Sequence, residues 1–399
     1  MTPHQELDAR ILRLRAVALG IGVVAAVVCA IGGVLMPVAF FHAYLTAYLF
    51  WLDIALGSLG LIMLHHITGG AWGFTVRRLL EAAMMTLPLM AVLFVPLVFG
   101  LHALYPWARP EQVAADPVLR HREALFTPLW FIGRAVIYFA IWIGLAVVLR
   151  RWSVAQDRTG DPVYMRRFQA MAGPGLILYA FAASLAAIDW IMALEPHWFS
   201  TIFGMLVLVG QALAAMAWAI VCAEALAGRR LLKSLAPASA WQDTGGMTIA
   251  FVLMWAYMAY SQYIIIWSGD LPHETSFFVH RRAGAWAYVA LVMMIIHFFL
   301  PFFLLLFGGL KRNTVTLAMI AWVLLAAHLV NEFWTVAPSW RTHGLTVTWL
   351  DLLLPVAIGG LWIAAFAASL HGRPLVPLHD PRLVDDPDAA HAREALGYG

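Results

Sequence analysis

The sequence predicts an all-α integral membrane protein of ten transmembrane helices, arranged as two four-helix bundles (spans 2–5 and 6–9) with spans 1 and 10 at their flanks. Three observations predict it. Of 399 residues, 63% are hydrophobic and only 12% are charged, against roughly 25% charged in soluble domains. So little polar surface cannot meet water on every side, and lipid is the expected solvent. Apolar stretches of about 20 residues, enough for a helix to cross about 30 Å of hydrocarbon, recur ten times. Finally, the basic residues fall on alternate connections. With the N-terminus inside, 18 of the 25 Lys and Arg lie in inner segments and six in outer ones, the asymmetry of cytoplasmic loops.

Each span has its own signature. Span 1, near 14–36, follows Arg10, Arg13 and Arg15. Its apolar run is too long for a signal-peptide core, so it is expected to stay as the first helix. Span 2 (43–66) carries Asp53 and ends at His65-His66, before a Thr-Gly-Gly-Ala-Trp-Gly string from Thr68 that predicts a bent, tightly packed exit. Span 3 (83–104) lies between the Arg77-Arg78 segment and Tyr105-Pro106-Trp107, and span 4 (127–149) carries Arg134 and meets Arg150-Arg151. Span 5 (173–194) ends in Asp189-Trp190, then Glu195-Pro196-His197-Trp198, and span 6 (199–226) holds Glu224. Span 7 (245–267) carries Tyr257, Tyr260 and Ser261 at i, i+3 and i+4; span 8 (285–307) carries His297. Span 9 (312–334) carries His328, Asn331 and Glu332 before Pro338-Ser339-Trp340, and span 10 (346–370) begins near Asp351. An acid followed by Pro-x-Trp at the ends of spans 5 and 9 suggests a parallel repeat with an offset of four helices. Residues 1–370 form the membrane domain; 371–399, rich in Pro, Asp and Ala, form a cytoplasmic tail. Both termini are expected in the cytoplasm.

Composition excludes several function classes. Cys29 and Cys222 both sit in apolar segments, which argues against a disulfide framework, a Cys-ligated zinc site and a protein-bound iron–sulfur cluster. No phosphate-binding loop or dinucleotide fingerprint is present. The excess of Arg is explained by topology, with no basic face interleaved with aromatics, so nucleic acid is not an expected partner. The mid-membrane histidines are only His297 and His328, one per helix and at different depths, which argues against a membrane haem.

Ionisable residues inside these stretches are the functional candidates, because each costs roughly 2.5–3.5 kcal/mol at a bilayer centre by insertion scales. At about 1.5 Å per residue, Asp53, Arg134, Asp189, His328, Glu332 and Asp351 fall in the outer half. His65, His66, Glu81 and Glu224 fall near the inner boundary, and His297 near the middle with Tyr257 and Tyr260 level with it. The distribution predicts two proton half-paths meeting at a central histidine. His328 and Glu332 share a helix face and suit a relay, since imidazole titrates near neutrality; the alternative is a helix–helix clamp. His65-His66 and Glu224 are the candidate inner entries, and the Tyr257–Tyr260 hydroxyls a link or a quinone contact. Arg134 needs a carboxylate, with Asp189 or Asp53 at matching depth, and a structural ion pair there competes with a conducting one; a stand-alone secondary transporter whose substrate pairs with Arg134 or Asp189 is a further reading of the same residues. Asp351 reads as interfacial.

Several strings also carry a resemblance. They are Phe50-Trp51-Leu52-Asp53, His65-His66-Ile67-Thr68-Gly69-Gly70-Ala71-Trp72-Gly73, Leu104-Tyr105-Pro106-Trp107, Asp189-Trp190-Ile191-Met192 and Asn331-Glu332-Phe333-Trp334. Together they resemble the F-subunit family of alternative complex III, within the polysulfide-reductase membrane-subunit (NrfD-like) superfamily, over essentially the whole chain. The resemblance implies a bacterial inner-membrane subunit of a quinol:cytochrome c oxidoreductase. It implies a sibling NrfD-like subunit bearing the quinol site, an iron–sulfur subunit, and multihaem and monohaem cytochrome c subunits that hold the clusters and haem c. It implies no redox cofactor on this chain, a scaffolding and proton-conducting role, and an open question of quinone or quinol binding.

Overall fold

The computed structural model describes residues 3–235, 238–342 and 344–375; the expected tail from 376 onward lies outside them. Among the described residues the chain is all-helical, without strands. Nine helices among the described residues are long and apolar enough to cross a bilayer, ten when one bent pair is taken as a single span. This is a multi-pass membrane protein.

The helices are α1 (Pro3–Leu35), α2 (Pro37–Thr68), α3 (Ala71–Met84), α4 (Leu87–Phe99), α5 (Pro128–Thr159), α6 (Val163–Trp190) and α7 (Phe203–Leu235). They continue as α8 (Ala238–Gly269), α9 (Pro272–Arg282), α10 (Ala285–Leu306), α11 (Thr314–Val336) and α12 (Trp349–Leu370). Short helical turns fill residues 101–122 and 308–312. Boundaries follow local chemistry. Pro37 and Pro128 open α2 and α5 in the first turn, where a missing amide costs nothing. Asn313 caps α11 by accepting from the Val315 amide. Gly69 and Gly70, at φ 70° and 94°, turn the chain from α2 into α3 in a conformation closed to other residues.

Span 3 differs from its expected limits. The helical segment begins at Ala71 and is bent by 42° between α3 and α4. At the break the Thr86 hydroxyl donates to the Ala83 carbonyl, and Pro88 offers no amide to continue the ladder. Arg77, Arg78 and Glu81, expected at the inner loop and boundary, are therefore buried on α3. The sequence alone places these charges outside the span because nothing in its local pattern shows that Glu81 pairs with Arg77 and Arg78.

The core is organised on α2 and α7. α2 is buried almost throughout, packed on α3, α6, α7 and α12; α7 packs on α2, α6, α8 and α11. α1 lies outside, against α12. Ties such as Arg122 to the Pro196 carbonyl, Arg281 to Glu195 and Trp340 to the Leu104 carbonyl gather residues 101–127, 190–202, α9 and 334–341 at one end, hereafter the loop face. The α3 arginines, the ends of α5 and α12 and residues 160–162 mark the opposite, basic face.

Candidate functional site

Asp53, which stands on α2 with its side chain against α7 and α11, is the centre of a buried polar chain. His328 Nε2 lies 3.1 Å from Asp53 Oδ2 and 4.0 Å from Glu332 Oε1. Gln211 on α7 donates to Asp53 Oδ1 at 3.0 Å and accepts from the Tyr179 hydroxyl of α6 at 2.8 Å. Asn331 donates to Glu332 at 3.2 Å. Asp53, His328 and Glu332 are 4%, 1% and 6% exposed, so no bulk water screens them. The helical i, i+4 spacing puts His328 and Glu332 on one face of α11, and the α2–α7–α11 packing brings Asp53 to it. Both carboxylates face the same ring nitrogen, Nε2, while Nδ1 has no partner among the described residues, so a proton taken up at Nε2 from one carboxylate can be released from that nitrogen toward the other.

An apolar cavity of ≈ 660 Å³ ends on this cluster. His328, Asn331 and Glu332 line one end; Gln262 and Trp255 of α8 and Phe277, Phe278, Arg281 and Arg282 of α9 line the rest. Tyr260, Leu291, Met294 and Phe299 also border it and are exposed on the outer surface of the helices, so the cavity opens sideways. Over its loop-face end, α9 is fastened by Arg281. That guanidinium pairs with Glu195 at 2.7 Å, donates to the Trp334 and Thr335 carbonyls and lies 3.4 Å from the Phe277 ring centre. Burial lowers the pKa of Arg281, and the Glu195 carboxylate opposes the shift.

The other expected residues divide. Arg134 pairs with Asp189 through two bonds, 2.7 and 2.9 Å, and the Tyr138 hydroxyl adds a third to the same carboxylate at 2.9 Å. Neither residue joins the Asp53 cluster. Arg134→Met should cost about 3–5 kcal/mol by leaving Asp189 buried and unpaired. The double substitution Arg134→Met with Asp189→Leu should recover most of it, as read from unfolding midpoints of the two variants.

His297 is fully buried in a π-helical turn, Met294–Phe299, within α10. Its ring lies 4.1 Å from Trp255 and 6.1 Å from His328. Neither ring nitrogen has a hydrogen-bond partner among the described residues. Tyr257 and Tyr260 correct an expectation: they are 70% and 66% exposed, on the outward face of α8, and cannot link buried carboxylates. The 3.6-residue period turns Gln262 inward instead. His65 and His66 are buried against aromatic rings, His66 stacked on Phe168 at 4.1 Å and His65 edge-on to Trp72. They pack the α2–α3 turn and do not sit at an open inner boundary. Glu224, half-buried on α7, has its Oε2 without a hydrogen-bond partner among the described residues and is not drawn into the cluster. Asp351 accepts from the Thr348 amide and hydroxyl at the start of α12 and pairs with Arg341 at 2.8 Å, a helix-capping role.

A second buried ionic group was not legible in sequence. Glu81 is held by Arg77 at 2.9 Å, Arg78 at 2.8 Å and Arg150 at 3.2 Å, with Ser153 donating to it and Asp157 engaging Arg78. Gln211 and Tyr179 were also missed, since a neutral amide and a phenol give no charge signal in an apolar run. Among known proteins, no family model matches the chain and no curated sequence matches it.

Proposed function

We propose that the chain is a membrane subunit of a quinol-oxidising respiratory complex in the bacterial inner membrane, and that it passes protons through the Asp53–His328–Glu332 cluster. One observation carries the proton-path part of this reading: two carboxylates face one imidazole nitrogen at 3.1 and 4.0 Å, buried among apolar helices, with Gln211 and Tyr179 extending the chain. The respiratory-complex part rests on the resemblance of the sequence strings alone. Groups so costly to hold away from water mark proton pathways when they occur in such helices. In this reading the loop face is extracytoplasmic and both termini cytoplasmic. Sibling NrfD-like, iron–sulfur and cytochrome c subunits carry the electrons. The packing of α2, the α3–α4 pair, α5 and α6 on one another, and of α7, α8, α10 and α11, supports two four-helix bundles and ten spans.

The test is quinol-driven proton release by the assembled complex. His328→Gln and Glu332→Gln are expected to slow it by roughly a hundredfold or more, with the subunits still co-purifying. Normal release from an assembled double variant would end the relay reading. A quinol-binding role has its own support in the cavity, which is apolar, opens sideways and terminates on protonatable side chains. A photoreactive quinone analogue labelling Trp255 or Gln262 would favour it; labelling confined to a sibling subunit would count against it.

A further inference from the structure

We propose that Asp53, His328 and Glu332 form a binding site for a divalent cation of the zinc class, with its open coordination position toward the cavity. The three offer one ligand atom each, all within 4.8 Å of one another. Zinc binds nitrogen and oxygen at about 2.0–2.2 Å, so tetrahedral ligand atoms sit roughly 3.3–3.6 Å apart. The Asp53–His328 separation of 3.1 Å is already close to that, and a turn of the Glu332 carboxylate shortens its 4.0 Å gap to His328. One imidazole with two carboxylates is a donor set suited to Zn²⁺ rather than to the all-oxygen ions.

Three further observations point to a cation. Two carboxylates are buried here with no Lys or Arg in ion-pair contact with them among the described residues; the nearby guanidinium of Arg281 is committed to Glu195. The ligands have outer supports, Gln211 on Asp53 and Asn331 on Glu332, as metal ligands usually do. His297, fully buried and with neither ring nitrogen partnered among the described residues, stands 6.1 Å from His328 on a π-helical turn, a distortion frequent at functional sites. Thr335, Glu332, Asn331 and His328 of α11 all line the cavity, so the ligands His328 and Glu332 are reached from it.

The inference rests on ligand geometry and not on the relay reading: a bound Zn²⁺ would occupy the His328 Nε2 lone pair and stop proton transfer there, so under that reading the cation is an inhibitor, and its test needs no quinol turnover. Purified protein is equilibrated with ZnCl₂, desalted, and its metal content measured. About one Zn²⁺ per chain is expected, falling to background in His328→Leu and unchanged in Asp116→Asn, which alters an exposed His197 pair. Gln211→Ala, which touches only a support, should weaken binding about 10- to 100-fold. If the wild type retains no Zn²⁺, or His328→Leu retains as much as the wild type, the site is refuted. Co²⁺ added to wild-type protein gives a second measurement that needs no variant. Visible d–d absorption abolished by excess Zn²⁺ supports the site, and its absence refutes it.

Discussion

Replacing Glu81 by Ala is expected to destabilise the protein by about 3–5 kcal/mol, the usual consequence of removing one partner from a buried ionic group. Three guanidinium groups converge on this carboxylate, and Arg77, Arg78 and Arg150 are all buried. Without it, their positive charges face one another among apolar helices, with Asp157 the remaining carboxylate in contact with Arg78. The group joins α3 to α5, and Arg150 continues to the Ser369 carbonyl at the end of α12. Loss should therefore loosen three helices together. The measurement is the midpoint of thermal unfolding in detergent, followed by loss of monodisperse protein. Adding Arg150→Met to Glu81→Ala should restore part of the stability by removing one stranded cation. A Glu81→Ala midpoint equal to wild type would show that water reaches this group.

Gly57→Val is expected to be nearly as damaging, for a steric reason. A Cβ at Gly57 would run into the Gln211 carbonyl oxygen of α7 and come within 2.9 Å of the Ala215 side chain. The obstacle is backbone, so neither helix can yield without separating, and α2 on α7 is the central contact of the fold. Overpacking commonly costs about 1–3 kcal/mol, and a backbone clash belongs at or above the top of that range. The effect should also reach chemistry, because the same Gln211 holds Asp53 through its side chain. Gly133→Ala on α5 is the control: its Cβ meets nothing within 4 Å, and the change should be neutral or slightly stabilising. Unfolding midpoints of the two variants decide the matter.

Much of the architecture was legible because it follows from lipid as solvent. Apolar runs mark helices whatever their neighbours, so nine of the ten expected stretches match a single membrane-length helix among the described residues, differing only at their ends. The limits of span 3 were not legible because its first half carries charges that find their remaining ion-pair and hydrogen-bond partners only when α3 meets α5. Sites were harder to read for the same reason. His328 and Glu332 are adjacent on one helix, so local spacing revealed them together. That Asp53 joins them while Asp189 takes Arg134 depends on which helices touch, and depth alone left both carboxylates open to Arg134. The α8 tyrosines show the reverse error: shared depth with His297 suggested a contact, but their helix face points outward.

The pairing of α1 with α12 has a consequence in time. Gly22 lies against Gly360 so closely that neither position admits a side chain without displacing the other helix. These residues are about 340 positions apart, which at synthesis rates of roughly 5–20 residues per second separates their emergence by about 17–70 seconds. Throughout that interval α1 must persist in the bilayer without its principal neighbour. Its uninterrupted apolar run from Ala16 to Leu35 makes this feasible, since a single helix of that kind is stable in lipid and association follows insertion. Closure of the first helix against the last is thus a late event in biogenesis, and a truncated chain lacking α12 would leave the glycine-bearing face of α1 open to other small-residue helices in the membrane.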